Sequence, residues 1–182
     1  MAVNETHHVL ELPRLDQPAR ALIVVAPYYK DIADNLVEGA RRSLDKAGCA
    51  WDLVEVPGAL EIPPAIRIAF RQSNFDAFVA LGCVIRGETT HYETVCNDSS
   101  RGLMLLGLEG ANIGNGILTV ENRAQAVVRA DPDGQDKGGG AAAAALHLLA
   151  LSRRFGESRR DIGFRPADEI LLARAKGGDT SA

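Results

Sequence analysis

The chain has 182 residues, enough for one hydrophobic core and, on length alone, one domain. Apolar residues make up 46% and charged residues 24%, an ordinary globular balance, and the net charge of −4 argues against a nucleic-acid partner held by charge. One Trp, three Tyr and five Phe argue equally against a base-stacking platform, and the longest apolar run, Ala141 to Leu151, is interrupted by His147 and too short for a bilayer.

Cys49, Cys83 and Cys96 are odd in number and form no CxxC pair, which fits reduced thiols rather than disulfides or a zinc site. The N-terminus carries Glu5 and Glu11 and no basic-then-apolar pattern, so a cytoplasmic location without a signal peptide is expected. Residues 1–19, with Pro13 and Pro18, read as an arm, residues 20–157 as one α/β domain, and residues 158–182 as a charged tail.

Leu22 to Val25 is an apolar run suited to a central strand. From Asp31 to Ala47 the residues Ile32, Leu36, Ala40 and Leu44 recur every four, one face of a helix closed by Gly48. Trp51 to Val56 alternates as a second strand. Pro57-Gly58 turns the chain, and Pro63-Pro64 suits the first turn of a helix reaching about Arg71. Asp76 to Val84 is a third strand. The next helix runs from about Tyr92 to Leu108, with Val95, Ser99, Gly102, Leu103 and Leu106 on one face. Ile117 to Val120 is a fourth strand, Glu121 to Ala130 a short helix, and the Ala-rich segment after Gly140 a fifth helix, with Gly138 to Gly140 as its flexible lead-in.

Strands alternating with helices imply a mainly parallel sheet covered on both faces, with ligands at the carboxyl ends of the strands. That rule brings four turns to one edge: Pro27 to Lys30, Pro57 to Glu61, Gly82 to His91, and the turn after Val120. Gly114-Asn115-Gly116 lacks the third glycine and the following helix of a dinucleotide loop, and Lys137 stands in the wrong order for a P-loop. His7-His8 has no carboxylate or Cys cluster beside it, so no metal site is expected.

Four features remain. Gly87 to His91 opens a helix, where free backbone N–H groups and the helix dipole favour an anion, and His91 is able to move protons near neutral pH. Glu61 in Gly58-Ala59-Leu60-Glu61 offers a carboxylate to hydroxyl groups. Arg129 ends the short fourth helix, with Lys137 eight residues on. Tyr28-Tyr29 closes the first strand and suits stacking on a flat ring.

These pieces in this order, GALEIPPA, GCVIRGETTHYE, GILTVENRAQA with Arg129 following, and DKGG, resemble the 6,7-dimethyl-8-ribityllumazine synthases of riboflavin biosynthesis, over roughly Ala21 to Leu151. The resemblance implies a flavodoxin-like three-layer fold with a four-stranded parallel sheet. It implies condensation of 5-amino-6-(D-ribitylamino)uracil with 3,4-dihydroxy-2-butanone 4-phosphate, with loss of phosphate and water and no cofactor or metal. By position it makes His91 the proton-transfer residue and Arg129 the phosphate-binding cation, helped by the N–H groups of Gly87, Glu88 and Thr89. Ala59, Leu60 and Glu61 become the ribityl-binding turn, Val84 and Ile85 the pyrimidine pocket, Tyr28 the stacking aromatic, and Lys137 a residue near the phosphate or ribityl end. It implies a ring of five chains with each site shared between neighbours, the arm adding a strand to the next chain, and larger assemblies of such rings in some members. Asn115 departs from the pattern, because the family often carries an aromatic there, and a hydrogen bond to substrate is the expected replacement. The alternative within the same fold is a non-catalytic member that binds a lumazine or flavin, or builds a shell.

Overall fold

The computed structural model describes His8 and residues 10–160, without the side chains of 157–160. Of the expected charged tail only the backbone of 158–160 is described, and it is helical; residues 161–182 and the first part of the arm fall outside the described residues. Contacts divide the chain into Met1–Ala150 and Leu151–Ala182, and of the second unit the described part continues the last helix.

The elements run β1 (Arg20–Val25), α1 (Lys30–Lys46), β2 (Ala50–Glu55), a 3-10 turn at Ala59–Glu61, α2 (Ile62–Gln72), β3 (Ala77–Ile85), α3 (His91–Leu108), β4 (Ile113–Val120), α4 (Arg123–Ala130) and α5 (Lys137–Arg160). The four strands are all parallel, in the order β2-β1-β3-β4. Because side chains alternate across a strand, β1 sends Ala21, Ile23 and Val25 to one face and Leu22 and Val24 to the other. The first face is covered by α1, α4 and α5 through Ile32, Leu36, Leu44, Ala126, Ala142 and Leu146. The second is covered by α2 and α3 through Ile62, Ile66, Leu103 and Leu106. The expected three-layer α/β/α arrangement is therefore present. Leu12 and Leu15 of the arm pack against the first of these faces.

Three expectations are corrected in detail. The strand expected over Asp76 to Val84 is β3, which runs to Ile85, so the turn towards His91 begins after Ile85 rather than at Gly82. β4 begins at Ile113 rather than Ile117 and includes Gly114, Asn115 and Gly116. A Cβ on Gly114 would fall 1.8 Å from the Ala141 carbonyl oxygen, so this glycine serves the close approach of α5 to the strand. The Gly138–Gly140 run belongs to α5 itself. A Cβ on Gly138 would fall 2.0 Å from the Leu36 carbonyl oxygen, so α5 starts with glycine because it crosses the backbone of α1 there.

Candidate active site

The strand order reverses between β1 and β3, and open parallel sheets bind ligands in the crevice outside that point. A cleft of about 410 Å³ opens there. Its walls are Tyr28 and Tyr29 after β1, Pro57 to Glu61 before α2, Cys83, Val84 and Ile85 at the end of β3, and His91 and Val95 of α3. Three of the four expected turns therefore converge.

Tyr28 is 75% exposed, and its ring meets Tyr29 edge to face at 5.0 Å between centroids. Its outward face is free to stack. Gly58 is extended, and the turn closes with the Glu61 N–H donating to the Gly58 carbonyl at 3.2 Å. The Glu61 carboxylate folds over Gly58, since a Cβ there would come within 2.9 Å of Glu61 Oε2. Among the described residues no cation pairs with this carboxylate, which leaves it to accept from hydroxyl groups. Val84 and Ile85 are half-buried and give an apolar wall. Cys83 lies deeper, and burial pushes its thiol up to about 11.

His91 is the first residue of α3 and is exposed at the rim. Gly87, Glu88 and Thr89 are exposed beside it and do not line the cleft. Thr90 takes the N-cap position without a side-chain cap, and the N–H groups of Gly87, Glu88, Thr89 and Thr90 have no protein acceptor among the described residues. Four donors at a helix start are therefore open to an anion.

Arg129, Lys137 and Asn115 are elsewhere. They line a second cleft of about 440 Å³, formed by the outer edge of β4, the end of α4 and the first turns of α5. The two clefts have no lining residue in common. Arg129 is half-buried and donates to the Gln125 carbonyl at 3.0 Å, and no carboxylate pairs with it or with Lys137 among the described residues. By contrast Arg20, Arg41, Arg42, Arg86, Arg101 and Arg123 all sit against acids. Two unpaired cations facing one cleft suit an anionic ligand. Asp136, in the left-handed region at φ 42°, accepts the Gly139 N–H at 2.9 Å and so caps the helix on which Lys137 stands. The Asn115 side chain accepts the N–H of Ile117 at 3.0 Å.

The sequence reading missed Cys83, Gly58 and Arg86. The first two lie in segments it singled out, and only packing distinguishes them from their neighbours. Arg86 carried a legible signal, an arginine flanking a run that ends in Thr90-His91-Tyr92-Glu93.

Comparison with known proteins places the chain. The family model described as 6,7-dimethyl-8-ribityllumazine synthase matches residues 18–153. A protein of that name from Jannaschia sp. (strain CCS1) is 54% identical over 164 residues, covering 90% of this chain and 92% of its own. One from Novosphingobium aromaticivorans is 56% identical over 137 residues, covering 75% and 99%. The 6,7-dimethyl-8-ribityllumazine synthase 1 of Rhizobium meliloti is 50% identical over 149 residues, covering 79% and 97%. With residues 18–153 matched by the family model, relatives at 50–56% identity over most of the chain and the expected four-stranded parallel sheet, the chain belongs to the 6,7-dimethyl-8-ribityllumazine synthase family.

Proposed function

We propose that this protein condenses 5-amino-6-(D-ribitylamino)uracil with 3,4-dihydroxy-2-butanone 4-phosphate to give 6,7-dimethyl-8-ribityllumazine, inorganic phosphate and water, and that the two clefts are complementary halves of one site. The observation that carries this is the division of chemistry between them. The first cleft holds a stacking aromatic, a free carboxylate and a histidine, with the open amides of residues 87–90 beside it. The second holds the unpaired cations. Neither is complete alone.

A site closed between adjacent copies resolves that division. Each ring position would set the first cleft of one chain against the β4 edge of the next. In an all-parallel edge strand every second residue points its N–H and C=O outward; on β4 these are Ile113, Asn115, Ile117 and Thr119. Met104 and Leu108 of α3 are 64% and 79% exposed and supply apolar surface for such contacts. We take the assembly to be a ring of five with one site at each junction.

In this site Tyr28 stacks on the pyrimidine between Val84 and Ile85. The Ala59–Glu61 turn holds the ribityl hydroxyls. Arg129, supported by Lys137 and by the open amides of Gly87, Glu88 and Thr89, binds the phosphate. An amine of the pyrimidine adds to the ketone and water leaves as an imine forms. Phosphate is eliminated, and the second amine closes the ring with loss of another water. His91 carries protons to and from these oxygens and nitrogens. Holding both substrates in register supplies the largest share, up to roughly 7–11 kcal/mol in ideal cases. Cationic stabilisation of the departing phosphate adds to it.

The test mixes purified protein with both substrates, without added metal or nucleotide, and follows lumazine absorbance. A rate no higher than spontaneous condensation would refute the enzyme reading. Sharing is tested by co-refolding His91→Ala with Arg129→Ala chains. With random mixing about one quarter of junctions receive both intact residues, so activity should rise above the mean of the two variants refolded separately. An active monomer would refute sharing.

A further inference from the structure

Thr90-His91-Tyr92-Glu93 has the sequence of a capping box, in which the Thr hydroxyl takes the N–H of the third helical residue and the Glu carboxylate reaches back to the N–H of the Thr. The structure does not close it. Thr90 gives no side-chain cap, and its N–H has no protein acceptor among the described residues. The Glu93 carboxylate is instead held by Arg86, whose Nη1 donates to Glu93 Oε1. The same guanidinium donates from Nε to Glu121 Oε2 at 2.7 Å and lies over the Tyr92 ring at 4.1 Å from its centroid. Its backbone N–H donates to the Val120 carbonyl at 2.9 Å, which fixes the root of the side chain at the carboxyl end of β4. Arg86 thus spans the 87–90 segment from one end to the other. The planar fork suits this task, since it meets two carboxylates and a ring face at once.

We infer that Arg86 is a positioning residue that keeps the 87–90 segment open for the substrate phosphate by holding Glu93 away from Thr90. The inference rests on the phosphate assignment made above. Without Arg86 the carboxylate would be free to close the capping box. It would then consume one of the open amides and set an uncompensated negative charge beside the anion. Arg86 removes both obstacles while leaving Glu93 in the first turn of α3, where an acid favours the helix.

The experiment compares wild type, Arg86→Gln, Arg86→Lys, and Arg86→Gln combined with Glu93→Ala, each checked for fold and assembly by circular dichroism and solution mass. Two quantities are read: binding of inorganic phosphate by titration calorimetry, and the KM values for the two substrates. Arg86→Gln should weaken phosphate binding and raise KM for the butanone phosphate by about tenfold, the effect of some 1.4 kcal/mol. KM for the pyrimidine should stay within about twofold. Arg86→Lys, which keeps the charge but not the fork, should fall between wild type and Arg86→Gln. The double variant should bind phosphate nearly as well as wild type, because the released carboxylate is gone. A brace that merely stabilises the loop predicts the opposite, a double variant no better than Arg86→Gln, and that result would overturn the inference. Phosphate binding is read without turnover, so loss of the enzyme reading would not be mistaken for loss of this one.

Discussion

The side-chain oxygen of Asn115 accepts the backbone N–H of Ile117, two residues along the same strand, at 3.0 Å. Ile117 points that N–H away from β3, so Asn115 satisfies a donor on the open edge of β4. Only an oxygen serves that role, which fixes the amide and leaves its NH₂ group free in the cleft with Arg129 and Lys137. Asn115→Asp should keep the edge bond but place a negative charge beside the two cations. It should raise KM for the butanone phosphate by roughly tenfold or more, in line with charge-assisted hydrogen bonds of about 1.5–3 kcal/mol. Asn115→Ala should affect that KM less. Steady-state kinetics with the pyrimidine saturating would decide, and equal effects would show that the amide has no electrostatic part.

Arg129 and His91 are expected to separate binding from chemistry. If Arg129 is the counter-charge of the phosphate as proposed, Arg129→Ala should cost about 1.5–3 kcal/mol, or roughly 10- to 150-fold in kcat/KM for that substrate. Binding of the pyrimidine should survive. His91→Ala should be milder, within about tenfold and below the usual 10²–10⁴ for general acid–base groups, because the exposed rim lets water carry protons. An unchanged KM and kcat for the butanone phosphate in Arg129→Ala would remove Arg129 from the site.

The glycines at the start of α5 should respond in opposite directions. Gly138→Ala would force a methyl to within 2.0 Å of the Leu36 carbonyl oxygen, a backbone atom that cannot rotate away. Overpacking of this kind costs about 1–3 kcal/mol, and here the upper end is expected, with a fall in Tm of roughly 6–12 °C. Gly140 has nothing within 4 Å of where its Cβ would be, and Gly140→Ala should stabilise by about 0.5–1 kcal/mol through lower unfolded-state entropy and better helix propensity. Thermal melts at equal protein concentration test both.

Cys83 gives the pH dependence. Burial raises its thiol from 9.0 to about 11, so the folded protein holds this proton more tightly than the unfolded chain. The stability it contributes is fully present below about 9 and is lost as pH rises towards 11. Urea midpoints for wild type and Cys83→Ala should therefore converge over that interval. The thiol should also resist alkylation near pH 8, where an exposed cysteine reacts readily. Fast labelling at Cys83 itself, located by peptide mapping of the folded protein, would contradict the burial.

The fold was legible wherever hydrophobic period and turn residues agreed. Ile32, Leu36, Ala40 and Leu44 announced α1, and Pro63-Pro64 marked the first turn of α2, which ends at Gln72. It was misread where glycine serves packing between elements distant in the chain. Gly114 and Gly116 looked like a turn before a strand, yet they are in the strand, under α5. Gly138 and Gly139 looked flexible and are helical for the same reason. Single-sequence reading sees what glycine permits locally, not the backbone that crosses it. Tyr28, Glu61, Val84, Ile85 and His91 were legible as neighbours because strand ends collect them at one edge, while Asn115, Arg129 and Lys137 line the second cleft. The contact of Arg86 with Glu121 was not legible, because the two are 35 residues apart and come alongside only when β3 and β4 pair.

The glycine crossing between α5 and α1 also bears on the order of folding. A helix that opens with three glycines nucleates poorly by itself, at a cost near 1 kcal/mol for each relative to alanine. Its first turn gains support only where Gly138 rests on the backbone of Leu36, about a hundred residues earlier, and closing so long a loop is entropically slow. α1 has strong local periodicity and needs no such partner to start. The beginning of α5, and with it Lys137, is therefore expected to lock late, so that the cationic cleft takes shape only after the rest of the sheet has been laid down.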